Sequence, residues 1–292
     1  MGYKILFVEE AEKITTFLEN LRFYDKDKNE IDISLSDLEM IVIDNYKTNI
    51  SVNLLNKILE YKITLVFCDK RHTPNGFLSG FNFHVNSFSK FTEQLNWKDE
   101  RKIELWTKIV KNKIKNQNKI LKNNNKNEDA INLLNKFYDE VLKNDQTNRE
   151  GLAARTYFKV LFGKNFIRFN DDGINSALNY GYQILRSQIV KIIVSKGYLP
   201  ILGIHHIGIK NYFNLADDLI EPLRPIIDDW VYKNIKITDV LTTAEKEKIL
   251  KLLLEDYTYN NKKQTFFNFI KDYISNCLSF LAEETEYKEY EL

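Results

Sequence analysis

The stretch Asp69-Lys-Arg-His-Thr-Pro-Asn-Gly-Phe-Leu-Ser-Gly-Phe-Asn-Phe-His-Val-Asn-Ser-Phe88 separates two parts of the chain with different character. Pro74-Asn75-Gly76 and Gly80 break periodic patterning, because proline fixes φ and removes a donor while glycine and asparagine admit turns. The segment therefore reads as a hinge. Upstream, Tyr3–Val8, Lys13–Phe17, Ile31–Leu35, Met40–Ile43 and Thr64–Cys68 are short, β-branched or alternating, which predicts strands. Asp25-Lys-Asp-Lys-Asn29 reads as a hairpin tip. One helix interrupts the strands, since Leu54, Leu55, Ile58 and Leu59 repeat at helical spacing behind Ser51, a favourable N-cap. Its apolar stripe is needed to cover one face of the strands.

Downstream the period changes to that of a helix. Ile103, Trp106, Val110, Ile114 and Leu121 recur mostly every three or four residues. Similar stripes run through Leu133–Leu142, Leu152–Phe162, Ile174–Val194, Leu215–Val231, Ile249–Leu254 and Phe266–Leu281. The expected architecture is α+β in two domains. Residues 1–86 form a small, sandwich-like β-sheet domain with one helix and the hinge, and residues 87–292 form a larger all-α domain.

Composition narrows the class. Of 292 residues, 43% are apolar and 28% charged, enough to bury a core and unlike a disordered or fibrous chain. Two cysteines, Cys68 and Cys277, exclude a disulfide framework and a thiolate-only metal site. No apolar run approaches the roughly 20 residues that span a bilayer, and the N-terminus lacks a signal-peptide core, so a cytosolic protein is expected. Forty-two Lys/Arg against 41 Asp/Glu give a net charge of only +1, but that balance hides a basic segment. Lys98–Lys126 carries ten Lys/Arg against three acids. Within it, Lys111–Asn127 is rich in lysine and asparagine. It reads either as a nucleic-acid contact or, the plainer option, as a solvated helix end with its loop.

Three other segments concentrate acids and histidines in apolar surroundings. Thr147-x-x-Glu150 precedes the stripe Leu152, Ala153, Tyr157 and has the capping-box pattern. Alternatively, Glu150 in a first helical turn holds a metal while Arg149 and Arg155 hold phosphate. His205 and His206 are neighbours on the turn-prone segment between Gly203 and Gly208, where side chains diverge, so at most one faces a site. In Asn214-Leu-Ala-Asp-Asp-Leu-Ile-Glu-Pro-Leu-Arg-Pro225, a continuous helix would align Asp217, Glu221, Arg224 and Asp228 in one stripe with Asp218 on its flank.

That stripe has two readings. Glu221 pairs with Arg224 on a surface, or Asp217 and Glu221, which repel at i,i+4, are relieved by a cation. Pro222 and Pro225 favour the second. Neither can donate to the carbonyl four residues back, so the helix must bend among its carboxylates, at ~3 kcal/mol per interior proline. Two carboxylates and an imidazole suit Mg2+ or Mn2+ better than zinc. Such an ion activates a hydroxyl and offsets charge on a phosphodiester.

At this level of detail the sequence resembles a known family. Glu150-Gly-Leu-Ala-Ala-Arg-Thr-Tyr-Phe158, Asp172-Gly-Ile-Asn-Ser-Ala-Leu-Asn-Tyr-Gly-Tyr-Gln-Ile-Leu185, Leu202-Gly-Ile-His-His206 and Asn214–Pro225 are similar to blocks of the CRISPR-associated endonuclease and integrase family Cas1. Ile43-Asp-Asn45 and Val66-Phe-Cys-Asp69 extend the resemblance towards the N-terminus, and its wording is closest to the type II branch.

The resemblance implies an N-terminal β-sheet domain that mediates homodimerisation and a helical domain that binds double-stranded DNA. It implies Mg2+ or Mn2+ held by Glu150, His206 and Glu221, the last two fifteen positions apart. Asp217, Asp218 and His205 become supporting or alternative ligands. Arg149, Arg155, Lys164, Arg168 and Arg224 are the candidate phosphate contacts, which position DNA without reading sequence. The implied reaction is spacer insertion into a CRISPR array, with a DNA 3′-hydroxyl attacking a phosphodiester at the repeat boundary, together with a Cas2 partner. The rival readings are a stand-alone nuclease selective for branched DNA or RNA, and a non-catalytic scaffold.

Overall fold

The computed structural model describes residues 3–24, 29–78, 80, 86–235, 240–259 and 262–290. The chain divides into two compact units, Met1–Asn82 with Leu250–Leu254, and Phe83–Ile249 with Glu255–Leu292.

The first unit is built from β1 (Lys4–Val8), β2 (Lys13–Phe17), β3 (Asn20–Tyr24), β4 (Glu30–Ser34), β5 (Leu38–Ile43), β6 (Asn49–Ile50), α1 (Val52–Glu60), β7 (Thr64–Cys68) and β8 (Pro74–Phe77). Two four-stranded sheets result, ordered β1-β5-β7-β8 and β4-β3-β2-β6. In the first, β1, β5 and β7 run parallel, with Leu6 opposite Ile41 and Val42 opposite Val66. In the second, β3 lies antiparallel between β2 and β4. Every residue of β5, Leu-Glu-Met-Ile-Val-Ile, is buried, the expected pattern for a central parallel strand covered on both faces. Ser51 caps α1 by accepting from the Leu54 N–H at 3.2 Å. Leu54 and Ile58 then share one core with Ile14 and Leu21 of one sheet and Ile41 and Leu65 of the other.

The five expected strands and the helix are present. Three further strands are present as well. β3 completes the hairpin with β4, whose tip lies outside the described residues apart from Asn29. β6 is a two-residue pairing, too short for a periodic signal. β8 forms where a hinge was expected: the Asp69 carboxylate accepts from the Arg71 and Thr73 N–H groups, turning the chain back onto β7. Pro74 is tolerated there because β8 is an edge strand. Ser79 and residues 81–85, the rest of the expected hinge, lie outside the described residues.

The helical part comprises α2 (Ser87–Leu95), α3 (Asp99–Asn123), α4 (Glu128–Asp139), α5 (Arg149–Phe162), α6 (Gly173–Ser195), α7 (Asn214–Leu219), α8 (Arg224–Asn234), α9 (Thr243–Lys251) and α10 (Phe266–Leu281). Among the described residues, a hairpin of β9 (Asp256–Tyr259) and β10 (Lys262–Thr265) is its one departure from all-α. The 25-residue α3 packs against α4, α5, α8 and α10. Trp106, Ile109, Val110, Ile114 and Leu121 are buried along it.

The reading of Lys111–Asn127 as a solvated helix end with its loop holds for residues 122–127 but not for the part before them. Asn112, Lys113, Asn116, Gln117 and Asn118 are buried in the middle of α3. Their amides hold other elements in place: Asn116 donates to the Pro222 carbonyl at 2.8 Å, Asn112 to that of Tyr290 at 2.6 Å, and Asn118 to the Asn135 side chain at 2.5 Å. A polar composition reads as solvated, but the amide donors of Asn112, Asn116 and Asn118 find acceptors inside, the condition under which their burial is tolerated.

Candidate catalytic and metal-binding site

Glu150 stands in the first turn of α5, but Thr147 is not the cap. Asn148, at φ 50°, takes that place and accepts from the Gly151 N–H at 3.1 Å. The Asp145 carboxylate accepts from the N–H groups of Arg149 and Glu150, at 2.8 and 3.0 Å. With the helix start satisfied in this way, the Glu150 carboxylate is free to turn elsewhere. It meets the ammonium of Lys113, reaching from α3.

The same ammonium bonds Glu221 at 2.5 Å. Glu221 begins the 3₁₀ turn Glu221–Leu223 that replaces regular helix between α7 and α8, with Pro222 and Pro225 at the turn and helix starts. The prolines thus bend the chain at Glu221, which is buried rather than in solvent. Its other oxygen is ion-paired with Arg224, whose Nε lies 3.0 Å away. Burial acts to raise the Glu221 carboxyl's proton affinity, and the charges of Arg224 and Lys113 overcome it, holding the group below the ordinary carboxylate range. Burial likewise works against the Lys113 charge, and Glu221 and Glu150 more than restore it.

The expected stripe does not form as drawn. Asp217 pairs away from Glu221, accepting from Asn211 at 2.8 Å and lying 3.7 Å from Arg186. Asp218 is wholly buried and organises the histidine loop. Its carboxylate accepts from the N–H groups of Ile204, His205 and His206 at 2.7, 3.0 and 3.1 Å, and meets His206 Nδ1 at 2.5 Å. Gly203 is required for this closure, because a Cβ there would stand 2.3 Å from the His206 carbonyl and 2.8 Å from the Asp218 carboxylate. The Asp218 hydrogen bond raises the His206 imidazole's proton affinity. Nδ1 is thereby committed, leaving Nε2 as the nitrogen for other chemistry.

His205 is stacked on Trp106 with centroids 4.1 Å apart and planes 7° from parallel. His206 meets the same indole edge-on at 5.6 Å. The two imidazoles therefore do not diverge as expected of neighbours on a turn: both pack on Trp106, and their own centroids lie 5.4 Å apart, edge to face. Burial lowers the proton affinity of His205.

Glu150 and Glu221 line a cleft of about 840 Å³ together with Lys113, Gln117, Arg155, Lys159, Arg168, Arg224 and Asp228. Phe158, Phe166 and the exposed Phe169 form an aromatic wall. Arg168 is held by Asn175 and Asn179 at 2.8 and 2.7 Å, and Arg155 is exposed. Arg149 is bound to Glu140 at 3.1 Å, and Lys164 is exposed outside the cleft lining. Among the described residues, then, Arg155 and Arg168 are the expected phosphate contacts best placed, Arg224 being engaged by Glu221. Deep in the cleft, Asp228 accepts from the Tyr182 hydroxyl, and burial pushes its carboxyl up to about 7.

His206 lines a different, smaller hollow, within electrostatic reach of Glu221. As the side chains stand, no three of His, Cys, Asp and Glu among the described residues form a group able to hold one ion. The structure therefore joins Glu150 to Glu221 through a lysine and fixes His206 through Asp218. It does not bring the three expected ligands onto one point. Sequence reading missed Lys113, Gln117 and Lys159; the first two continue the buried spacing of Trp106, Ile109 and Val110 along α3, a signal that polar composition concealed.

A chain with this two-sheet unit, this helical unit and a pair of glutamates opening on a basic, aromatic cleft has the build of a nucleic-acid-processing protein. A family model described as CRISPR associated protein Cas1 matches residues 6–259, and the chain belongs to that family. It is 35% identical over 237 residues to the CRISPR-associated endonuclease Cas1 of Neisseria meningitidis serogroup C (strain 8013), covering 80% of this chain and 77% of that one. Among solved structures, a Cas6-RT-Cas1–Cas2 complex matches at TM-score 0.78 and 20% identity, over 99% of this chain and 36% of that one. A casposase bound to integration product matches at 0.76 and 18% identity, over 99% and 94%. At such identities these two show the shared fold. Among the described residues no helix is long and apolar enough to cross a membrane.

Proposed function

We propose that this protein is a metal-dependent DNA endonuclease and integrase that inserts new spacers into a CRISPR array. The observation that carries the reading is the meeting of Glu150 and Glu221, 71 positions apart in the chain, on one buried positive charge at the edge of a basic cleft. The two carboxylates meet that cation beside open, arginine-lined space that a nucleic-acid backbone can enter. The relative named as an endonuclease and the likeness to proteins solved with an integration product and with Cas2 support the same reading.

The donors fit Mg2+ or Mn2+ in kind: carboxylate oxygens from Glu150 and Glu221, at a point that already demands positive charge, and an imidazole nitrogen from His206. Those three residues would hold the ion, which when bound supplies Lewis acidity for a 3′-hydroxyl and charge compensation for a phosphodiester. Asp218 sets the His206 tautomer, keeping the proton on Nδ1 and the lone pair on Nε2. Arg155 and Arg168 grip the DNA backbone along the cleft. The exposed ring of Phe169 offers a base a stacking face. The protein acts in the cytoplasm as a homodimer with a Cas2 partner.

The test mixes the protein and its Cas2 partner with Mg2+ or Mn2+, labelled DNA ends and a repeat-bearing plasmid. Joined products are expected, and loss of joining below one thousandth in each of Glu150→Ala, His206→Ala and Glu221→Ala, with dimerisation retained. Cleavage without joining would identify a stand-alone nuclease, and no product a scaffold.

A further inference from the structure

We propose that Lys113 is the resident counter-cation of the Glu150–Glu221 pair, displaced into the cleft when a divalent ion takes the two carboxylates. The inference rests on the reading that those carboxylates hold the ion, and adds how the site stays closed without one. Two carboxylates this close repel, the more so because Glu221 is buried, and Lys113 neutralises both at once, its side chain only 8% exposed. Arg224 cannot substitute, because it engages the other oxygen of Glu221. The ammonium bonds one oxygen of each carboxylate, so the two already converge on one positive charge. A lysine and a divalent cation cannot share that place, since like charges at contact distance repel strongly even with partial screening.

The molecule also holds a destination for the displaced group. Lys113 lines the cleft of about 840 Å³, so its flexible stem needs to swing, not the helix. Gln117, one turn further along α3 and also a lining residue, has a side-chain oxygen that is buried and accepts no hydrogen bond among the described residues. It is an acceptor for an ammonium leaving the carboxylates. In the cleft the same charge would meet a DNA phosphate, so ion entry and backbone grip become one exchange of partners.

Two measurements on the full-length protein test this. Mn2+ binding, read from the electron paramagnetic resonance of free ion, is expected to be at least tenfold tighter in Lys113→Met than in the unsubstituted protein, with Mn2+ raising the variant's melting temperature by more. Independently, an amine-reactive label read by peptide mass spectrometry should leave Lys113 unmodified in chelator and modify it in saturating Mn2+, with no substitution needed. Equal or weaker Mn2+ binding by a folded Lys113→Met, or unchanged Lys113 labelling, overturns the exchange. Glu221→Gln serves as the separate check: if it loses Mn2+ while Lys113 labelling stays flat, the ion site stands and only the exchange fails. If it binds Mn2+ unchanged, both fail.

Discussion

The two walls of the acid cluster are built in opposite ways. The α7–α8 wall is a broken helix, bent at two prolines, and its acids Asp218, Glu221 and Asp228 are all buried. The α3 wall is an unbroken 25-residue helix that brings Lys113, Asn116 and Gln117 to the same place. Neither wall makes sense alone, because buried carboxylates without the lysine, or the lysine without them, would forfeit hydration with no compensation. The difference teaches where bottom-up reading is strong. Acids among apolar residues at a proline bend stand out, whereas a lysine in a run of lysines and asparagines is hidden by neighbours that resemble it.

The comparison can be broken first on the acidic wall. Asp228 carries a carboxyl pushed up to about 7 by burial, against an ordinary value of 3.8. Below the ordinary value both folded and unfolded chains hold the proton, and Asp228 costs nothing. As pH rises, the unfolded chain releases it first, so stability falls until pH passes about 7. Asp228→Asn removes that penalty, on the order of 4 kcal/mol when fully developed, and its amide oxygen can still accept from Tyr182. Urea unfolding at pH 4.5, 6 and 8 should show the variant's advantage growing with pH. A gap that stays constant would mean the wall tolerates the ionised acid.

A smaller effect is expected from Asp218, which works through His206. Asp218→Asn keeps an acceptor for part of the loop but loses the charge that fixes the imidazole. Joining should drop about 10–100-fold, the usual cost of losing a group that orients a metal-binding histidine. The His206 titration, followed by NMR, should move to lower pH at the same time. Reduced joining with an unmoved titration would assign the loss to the loop backbone instead.

What was legible in advance follows the same division. Five strands of the first unit showed through β-branched alternation, and α1 through Ser51 and its leucine spacing, while β3 and the two-residue β6 did not. That the chain bends at Glu221 and keeps it out of solvent could also be anticipated from Pro222 and Pro225, whereas the packing of His205 and His206 on one indole could not. β8 could not, because Pro74 and Gly76 carry turn preferences and the pairing with β7 depends on a distant partner. The Asn148 cap was obscured by Thr147 beside it, and the role of Lys113 required knowing that two carboxylates separated by 71 positions would converge on it. Local chemistry was readable in both walls; its sharing across them was not.

The α3 wall offers the next test. Asn116 ties the straight helix to the bend through the Pro222 carbonyl, one residue past Glu221. Asn116→Ala leaves that buried carbonyl short of a donor and should destabilise the protein by roughly 1–3 kcal/mol. The melting temperature of the variant measures the cost. Should it match the unsubstituted protein, the two walls are joined by packing alone.

The smallest effect is expected where the cleft meets solvent. Arg155 is exposed on α5 and lines the cleft one turn beyond Glu150, with little to lose in the folded state. Surface arginines of this kind contribute almost nothing to stability. Its contribution should appear only with DNA: each phosphate contact releases counterions, so Arg155→Ala should reduce the slope of log affinity against log salt by ~0.9 on duplex DNA. The melting temperature should not move. The result bears on the comparison because the buried cation Lys113 neutralises protein carboxylates, whereas Arg155 has only the ligand to neutralise. An unchanged salt slope would remove Arg155 from the DNA path and leave Arg168 as the remaining arginine of the cleft free of Glu221.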